Sequence, residues 1–106
     1  MGFFEMLRSA DINQLYKDYS NTEKAMLLDV RTVGEYSSGH IPGSKNIPLD
    51  VIHSRAAQIA EKDIPLFVYC HSGARSRAAA KRLKSLGFSS VTDMGGITGY
   101  SGKLER

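Results

Sequence analysis

The chain of 106 residues has one cysteine, three prolines and no tryptophan. One cysteine cannot form an internal disulfide, which excludes a disulfide-stapled secreted fold and makes a reducing cytoplasm the expected compartment. No apolar run approaches the length of a membrane span or of a signal-peptide core, so we expect no membrane partner. One cysteine and three scattered histidines lack the spacing of zinc ligands, so no metal site is predicted.

Length and charge further limit the classes of protein that fit this sequence. A chain of this length with 42% hydrophobic residues predicts one domain over residues 1–106, with no room for a second. The net charge of +3 is mild, and the basic residues lack the interleaved aromatics of a nucleic-acid groove. We therefore expect no nucleic-acid partner.

Apolar runs alternate with helical patterns along the chain. The runs predict four strands, at residues 25–30, 45–47, 65–69 and 90–94. The helical patterns predict a first helix that begins at Asp11, a second over residues 52–60 that Asp50 caps, and a third from Ser76 to Gly87. This alternation predicts an α/β fold with a mostly parallel sheet covered by helices on both faces.

The only cysteine stands between the third predicted strand and the helix that follows it. The strand ends in the segment Cys70-His71-Ser72-Gly73-Ala74-Arg75. A free cysteine is most often a small buried hydrophobe, but these polar neighbours cannot continue a buried strand. A thiol at a helix N-terminus is surrounded by backbone N–H groups that favour the thiolate, which is the nucleophile. Cys70 is therefore the candidate nucleophile.

The surroundings of Cys70 are basic. Between Ile64 and Thr92 there is no Asp or Glu, whereas there are five basic residues: Arg75, Arg77, Lys81, Arg82 and Lys84. Ligands of parallel sheets bind beyond the carboxyl ends of the strands, which is where this loop is expected. The predicted ligand is a small anion.

Several ordered motifs carry a family resemblance. The N-terminal motifs are Leu27-Leu28-Asp29-Val30-Arg31, Glu35-Tyr36, Gly39-His40-Ile41-Pro42-Gly43-Ser44 and Asn46-Ile47-Pro48. They are followed by Val68-Tyr69-Cys70 with Gly73 and Arg75, and by Gly95-Gly96-Ile97 with Tyr100. In order and spacing these motifs resemble the rhodanese-like, single-domain sulfurtransferase family. Two positions depart from its pattern: His71 follows the cysteine where Arg is frequent, and Tyr100 replaces a Trp.

The resemblance implies both a fold and a chemistry. It implies a central five-stranded, mostly parallel sheet flanked by helices, and catalysis through a persulfide on Cys70. The sulfur donor would be a small anion such as thiosulfate. The acceptor would be cyanide, a thiol or a sulfur-relay protein, with no metal or organic cofactor. The expected substrate-binding residues are those of the loop, namely His71, Ser72, Gly73, Ala74, Arg75 and Ser76.

Two other functions compete with sulfur transfer. Phosphatases and arsenate reductases of related architecture use a C-x5-R loop, one residue longer than the C-x4-R from Cys70 to Arg75. The shorter loop favours a single sulfur on the cysteine over a bound phosphate. The third possibility is a non-catalytic protein-binding module, in which the cysteine would be expected to be absent.

The roles of individual side chains remain open at this point. Arg75 either attracts the anionic donor or pairs with a carboxylate elsewhere, and Ser72 either bonds the outer sulfur or shapes the turn. His40 is expected to make a structural hydrogen bond, and His71 to lie at the rim of the loop. A structural ion-pair group is expected at the strand ends from Asp29, Arg31 and Glu35, with the alternative that Arg31 faces the pocket.

Overall fold

A computed structural model describes residues 11–59 and 61–106. Within these residues, helices and strands alternate. In chain order the elements are α1 (Ile12–Ser20), β1 (Met26–Asp29), α2 (Val33–Ser38), β2 (Ser44–Asn46), α3 (Ile52–Ala56), β3 (Leu66–Cys70), α4 (Ala74–Ser85) and β4 (Val91–Gly96). Two short 3₁₀ helices, Leu49–Val51 and Ile97–Gly99, precede α3 and follow β4. The first ten residues, which the single-domain prediction includes, lie outside the described residues.

The four strands form one parallel sheet in the order β2-β1-β3-β4. All four strands predicted from the apolar runs are present, which confirms the α/β class. The resemblance implied five strands, and within residues 11–59 and 61–106 the sheet has one fewer. Within the described residues, strand-like pairing near the C-terminus is limited to one isolated antiparallel bridge, between His40 and Glu105. A single bridge lacks the consecutive ladder bonds that would make a further strand.

The two faces of the sheet are covered by different helices. Alternate residues of the central strands point to opposite sides, which divides the core into two clusters. The first cluster contains Leu28, Val30, Val68 and Cys70 and is covered by residues of α3 and α4. The second contains Leu27, Phe67 and Tyr69 and is covered by Ile12 of α1. Both faces are apolar, which explains why β1 and β3 appear as unbroken apolar runs in the sequence.

The second predicted helix differs from expectation. Asp50 lies inside the 3₁₀ helix and makes no capping bond, and α3 proper spans only Ile52–Ala56. The chain enters α3 through a tighter turn, so Val51 is the N-cap residue and the Asp50 side chain is left exposed. Position 60, where this helix was expected to end, lies outside the described residues.

The third predicted helix begins earlier than expected. Its first residue is Ala74 rather than Ser76, so only three residues separate it from β3. None of the helices described is long and apolar enough to span a bilayer.

Candidate active site

The backbone after β3 places the thiol of Cys70 at the start of α4. Strand β3 is buried along its whole length, and Cys70 is its last residue, only 1% exposed. The turn consists of His71, Ser72 and Gly73, and Gly73 is the N-cap residue of α4. Its φ of +111° lies in the left-handed region, which glycine occupies without strain. The turn therefore reverses the chain within three residues and leads directly into the helix.

This turn directs a hydrogen-bond donor at the sulfur. The backbone N–H of Gly73 donates to Sγ of Cys70, with N and Sγ 3.0 Å apart. Helix α4 is twelve residues long and has no acidic residue in its first turn. The sulfur therefore lies at the positive end of the α4 dipole, which favours a negative charge there. The same surroundings would favour an anionic sulfur attached to Sγ.

A close approach by β4 supports the turn from behind. A Cβ added at Gly96 would collide with the carbonyl oxygen of His71 and would lie 2.8 Å from Cα of Ser72. The register of β3 with β4 shifts between Val68 and Tyr69, which brings Cys70 opposite Gly96. Gly96 is thus required by the turn that holds the nucleophile. The resemblance had included this glycine, but only as part of a motif.

Arg75 is paired with a carboxylate. Its guanidinium donates two hydrogen bonds to Glu35 of α2, at 2.7 and 3.0 Å, and the two side chains are 35% and 32% exposed. These bonds, together with those from Thr32, lower the pKa of Glu35 to about 2. The structural alternative considered for Arg75 is therefore the arrangement observed. Glu35 was expected to join the ion-pair group of Asp29 and Arg31, and it contacts Arg75 instead.

Glu35 is itself held by the start of α2. Its carboxylate accepts from the backbone N–H of Thr32, and the Thr32 hydroxyl accepts from the backbone N–H of Glu35. This reciprocal pair is a capping box, which fixes the helix N-terminus. The T-x-x-E spacing was the sequence signal that could have identified it. Helix α2 and helix α4 are thereby joined at their N-termini beside the loop.

The side chain of Ser76 is directed into the protein. Its hydroxyl is buried, donates to the carboxylate of Asp93 at 2.7 Å and lies 3.1 Å from the carbonyl oxygen of Gly73. It therefore ties the first turn of α4 to β4. Any contact of Ser76 with a ligand in the loop would come from its backbone.

The other loop residues lie at the surface. His71, Ser72 and Ala74 have exposed side chains at the rim. The carbonyl oxygen of His71 accepts a bond from the backbone N–H of Thr98 at 3.4 Å, which ties the turn to the chain after β4. Among the described residues, no group of three or more His, Cys, Asp or Glu side chains could hold a metal ion.

A buried ion pair lies at the end of β1. Arg31, 5% exposed, bonds both carboxylate oxygens of Asp29 and the carbonyl oxygen of Gly39, the last at 2.7 Å. Arg31 thus has the structural role expected for it. His40 does as well, since its Nδ1 lies 2.9 Å from the carbonyl oxygen of Tyr36 and its ring stacks on the Tyr36 ring.

A groove opens beside the loop. Its volume is about 340 Å³, and its lining residues are Val30, Thr32, Pro48, Leu49, Asp50, Arg75 and Arg82. Val30 and Leu49 belong to, or pack against, the same apolar cluster as Cys70. The groove therefore lies beside the Cys70 loop, between the start of α2, the 3₁₀ helix Leu49–Val51 and α4. Arg82 was only one of several basic residues in the sequence, and its place in the groove was not predicted.

Known proteins are similar to this chain in sequence. A family described as Rhodanese-like domain matches residues 12–103. The candidate sulfur carrier protein YrkF of Bacillus subtilis is 40% identical over 78% of this chain. Thiosulfate sulfurtransferase PspE of Escherichia coli is 34% identical over 66% of this chain and 68% of its own length. The chain spans only 45% of YrkF and 65% of a second Bacillus subtilis relative.

A solved structure is similar to this chain in its fold as well as in its sequence. The structure of a rhodanese with anions from E. coli aligns with a TM-score of 0.72 at 29% identity. The alignment covers 77% of this chain and 98% of that one. The sheet, the Cys70 loop and these matches lead to one conclusion: the chain belongs to the rhodanese-like domain family.

Proposed function

We propose that this chain is a sulfurtransferase that carries sulfur as a persulfide on Cys70. The observation that carries the proposal is a single thiol at the N-terminus of α4, 3.0 Å from the backbone nitrogen of Gly73. Relatives named as sulfurtransferases, among them PspE, support this class of activity in general. We further propose that residues 1–106 act as one domain in the cytoplasm.

The first proposed step loads the cysteine. The Cys70 thiolate attacks the outer sulfur of thiosulfate, a new S–S bond forms, and the S–S bond of the donor breaks. Sulfite leaves with the electron pair of that bond, and Cys70–S–S⁻ remains. The second step reverses the direction of transfer: cyanide or a thiolate attacks the outer sulfur, and the Cys70 thiolate leaves.

The loop supplies electrostatic stabilisation in both steps. The persulfide is an anion, and preorganised N–H donors stabilise such a charge without having to reorient. The proposed ligand-binding groups are the backbone N–H groups from His71 to Ser76. The guanidinium of Arg75 holds this segment against Glu35, and its electrostatic effect on an incoming donor is reduced by that partner.

We also propose that a sulfur-relay protein is a further acceptor, in addition to cyanide and small thiols. YrkF, whose name describes a candidate carrier of sulfur, is similar to this chain over only part of its own length. That similarity supports a partnership between a domain of this kind and a sulfur carrier. The exposed rim formed by His71, Ser72 and Ala74 leaves the loop open to such a partner.

Steady-state assays with two substrates test this proposal. With thiosulfate and cyanide we expect thiocyanate to form, and with an aryl phosphate we expect no hydrolysis. The four residues between Cys70 and Arg75 support this expectation, since a phosphate-binding loop of the C-x5-R class is longer. Hydrolysis of the phosphate without thiocyanate would assign a phosphatase, and neither activity with several sulfane donors would assign a binding module.

A further inference from the structure

The groove beside the loop carries two charges that have no partner of opposite charge. Of its three charged residues, Arg75 is neutralised by Glu35. Arg82 and Asp50 form no ion pair within residues 11–59 and 61–106, and both side chains are exposed. The groove therefore offers one cation and one anion to a ligand.

One hydrogen bond holds Arg82 against the wall of the groove. Its Nη1 donates to the carbonyl oxygen of Leu49, 3.3 Å away, next to Asp50 in the chain. Because this is a single bond to a neutral acceptor, the other guanidinium donors remain available for a carboxylate. The Arg82 guanidinium and the Asp50 carboxylate thus border the same apolar floor, which Val30, Pro48 and Leu49 form.

The size and position of the groove suit a small acceptor. A volume of about 340 Å³ lies at the lower end of the range for small-molecule sites. Val30 is hydrogen-bonded through its backbone N–H to the carbonyl oxygen of Tyr69, the residue before the nucleophile. Val30 therefore connects the floor of the groove to the end of β3, where Cys70 is placed.

From these features we propose that the groove binds the sulfur acceptor, and that this acceptor is a small thiol with an ammonium and a carboxylate group. Arg82 binds the carboxylate, and Asp50 binds the ammonium. The inference rests on the proposed sulfurtransferase function and adds the class of acceptor to it. The acceptor thiolate attacks the outer sulfur of Cys70–S–S⁻, forms its own persulfide RS–S⁻ and releases the Cys70 thiolate. One S–S bond breaks and one forms, so no external oxidant or reductant is needed.

Four thiols and two substitutions test the assignment. Cysteine carries both charged groups, 3-mercaptopropionate only the carboxylate, cysteamine only the ammonium, and 2-mercaptoethanol neither. With the sulfur-loaded protein we expect Arg82→Gln to lower kcat/KM about tenfold for the two carboxylate thiols, as for the loss of a hydrogen bond to a charged group. Asp50→Asn should lower kcat/KM by a similar factor for the two ammonium thiols, cysteine and cysteamine. Neither substitution should change the value for 2-mercaptoethanol.

Each thiol is compared with itself in wild-type and variant protein, so its intrinsic reactivity cancels. Arg77→Gln is the matched control for Arg82→Gln, because it removes the same charge from the same helix. Arg77 lies five residues from Arg82 and outside the groove lining, on a different face of a helix with about 3.6 residues per turn. If Arg77→Gln lowers kcat/KM for the carboxylate thiols as much as Arg82→Gln does, the effect comes from the overall charge of the helix. That result would overturn the groove assignment.

A binding measurement separates this inference from the proposed function. S-methylcysteine keeps both charged groups but cannot accept sulfur, and its binding to unloaded protein can be measured by calorimetry. We expect binding that Arg82→Gln and Asp50→Asn each weaken. Loading of Cys70 without charge-dependent acceptor use or S-methylcysteine binding would overturn the groove assignment alone. Binding without loading would leave the groove as an amino-acid site and overturn its role in sulfur transfer.

Discussion

At the scale of single residues, the site depends on backbone conformation as much as on the nucleophile. Cys70 reaches a hydrogen-bond donor because Gly73 adopts a φ of +111°, and the turn fits because Gly96 has no side chain. Glycine is required at these two positions for different structural reasons. Gly73 supplies a conformation, whereas Gly96 supplies space.

Gly96→Ala tests the second reason. The added Cβ would collide with backbone atoms of His71 and Ser72, so the turn must shift and the Gly73 N–H must move relative to the sulfur. We expect a loss of about 1–3 kcal/mol in the free energy of unfolding, as for overpacking, and slower loading of Cys70. Urea denaturation and loading kinetics measure the two effects.

Gly34→Ala provides the matched control. Gly34 is in α2, and among the described residues nothing lies within 4 Å of an added Cβ. Alanine in a helix should stabilise the protein by about 0.5–1 kcal/mol, with unchanged loading. Equal loading rates in the Gly96 and Gly34 variants would contradict the supporting role given to Gly96.

At the scale of elements, helices α2 and α4 are joined by one ion pair at their N-termini. The bonds from Arg75, together with those from Thr32, lower the pKa of Glu35 from an ordinary 4.5 to about 2. A carboxylate whose pKa is lower in the folded state than in the unfolded state stabilises the folded state at pH values above its ordinary pKa. This stabilisation is lost as the pH falls through the pKa of the folded state. The pair therefore contributes fully above pH 4.5 and is lost progressively between pH 4.5 and about 2.

Glu35→Gln should remove this pH-dependent contribution. We expect the free energy of unfolding to fall by about 1 kcal/mol at neutral pH, since the pair is one-third exposed. It should also depend less on pH between 4.5 and 2. Arg75→Gln should lower the free energy of unfolding by a similar amount at neutral pH but keep part of the pH dependence, because the Thr32 bonds to Glu35 remain. The double variant should lose little more than either single variant at neutral pH, as measured by urea denaturation. Additive losses in the double variant would show that the two side chains stabilise the fold separately.

At the scale of the whole molecule, the buried pair of Asp29 and Arg31 connects β1 to the segment between α2 and β2. Arg31→Met would leave the fully buried carboxylate of Asp29 without its partner. We expect a loss of about 3–5 kcal/mol in the free energy of unfolding. Because the Arg31 guanidinium bonds Asp29 and Gly39 rather than the Cys70 loop, loading of the fraction that remains folded should be unchanged.

The double variant Asp29→Asn with Arg31→Met tests the cause. Asparagine removes the negative charge and retains an oxygen that accepts from the backbone N–H of residue 31, as Asp29 does. Much of the lost stability should therefore return in urea denaturation. A double variant no more stable than Arg31→Met would show that the uncompensated charge was not the cause.

Much of this molecule could be predicted from its sequence. The strands β1 and β3 are buried on both faces and thus appear as apolar runs, and the glycine-containing turn after Cys70 marks the end of β3. The short α3 was less predictable, since apolar spacing does not distinguish one long helix from a 3₁₀ turn followed by a short α-helix. The strand count was wrong for the described residues because only the resemblance supplied a fifth strand.

The contacts of the site were harder to predict than its location. Glu35 and Arg75 are 40 residues apart in the chain, and only the assembled fold brings α2 next to α4. The sequence therefore left two roles open for Arg75. The groove likewise combines residues from three separate segments, which is why Arg82 could not be distinguished from the other basic residues of its helix.

The central claim is that Cys70 carries sulfur, and intact mass spectrometry tests it most directly. After incubation with thiosulfate, the wild-type protein should gain the mass of one sulfur atom, located on Cys70 by peptide mapping, and should lose it on addition of cyanide as thiocyanate forms. Cys70→Ser should fold, because its hydroxyl can accept the bond from the Gly73 N–H, and should gain nothing because a hydroxyl cannot form a persulfide. An unchanged mass of the wild-type protein with thiosulfate and other sulfane donors, or an equal gain in Cys70→Ser, would contradict the account.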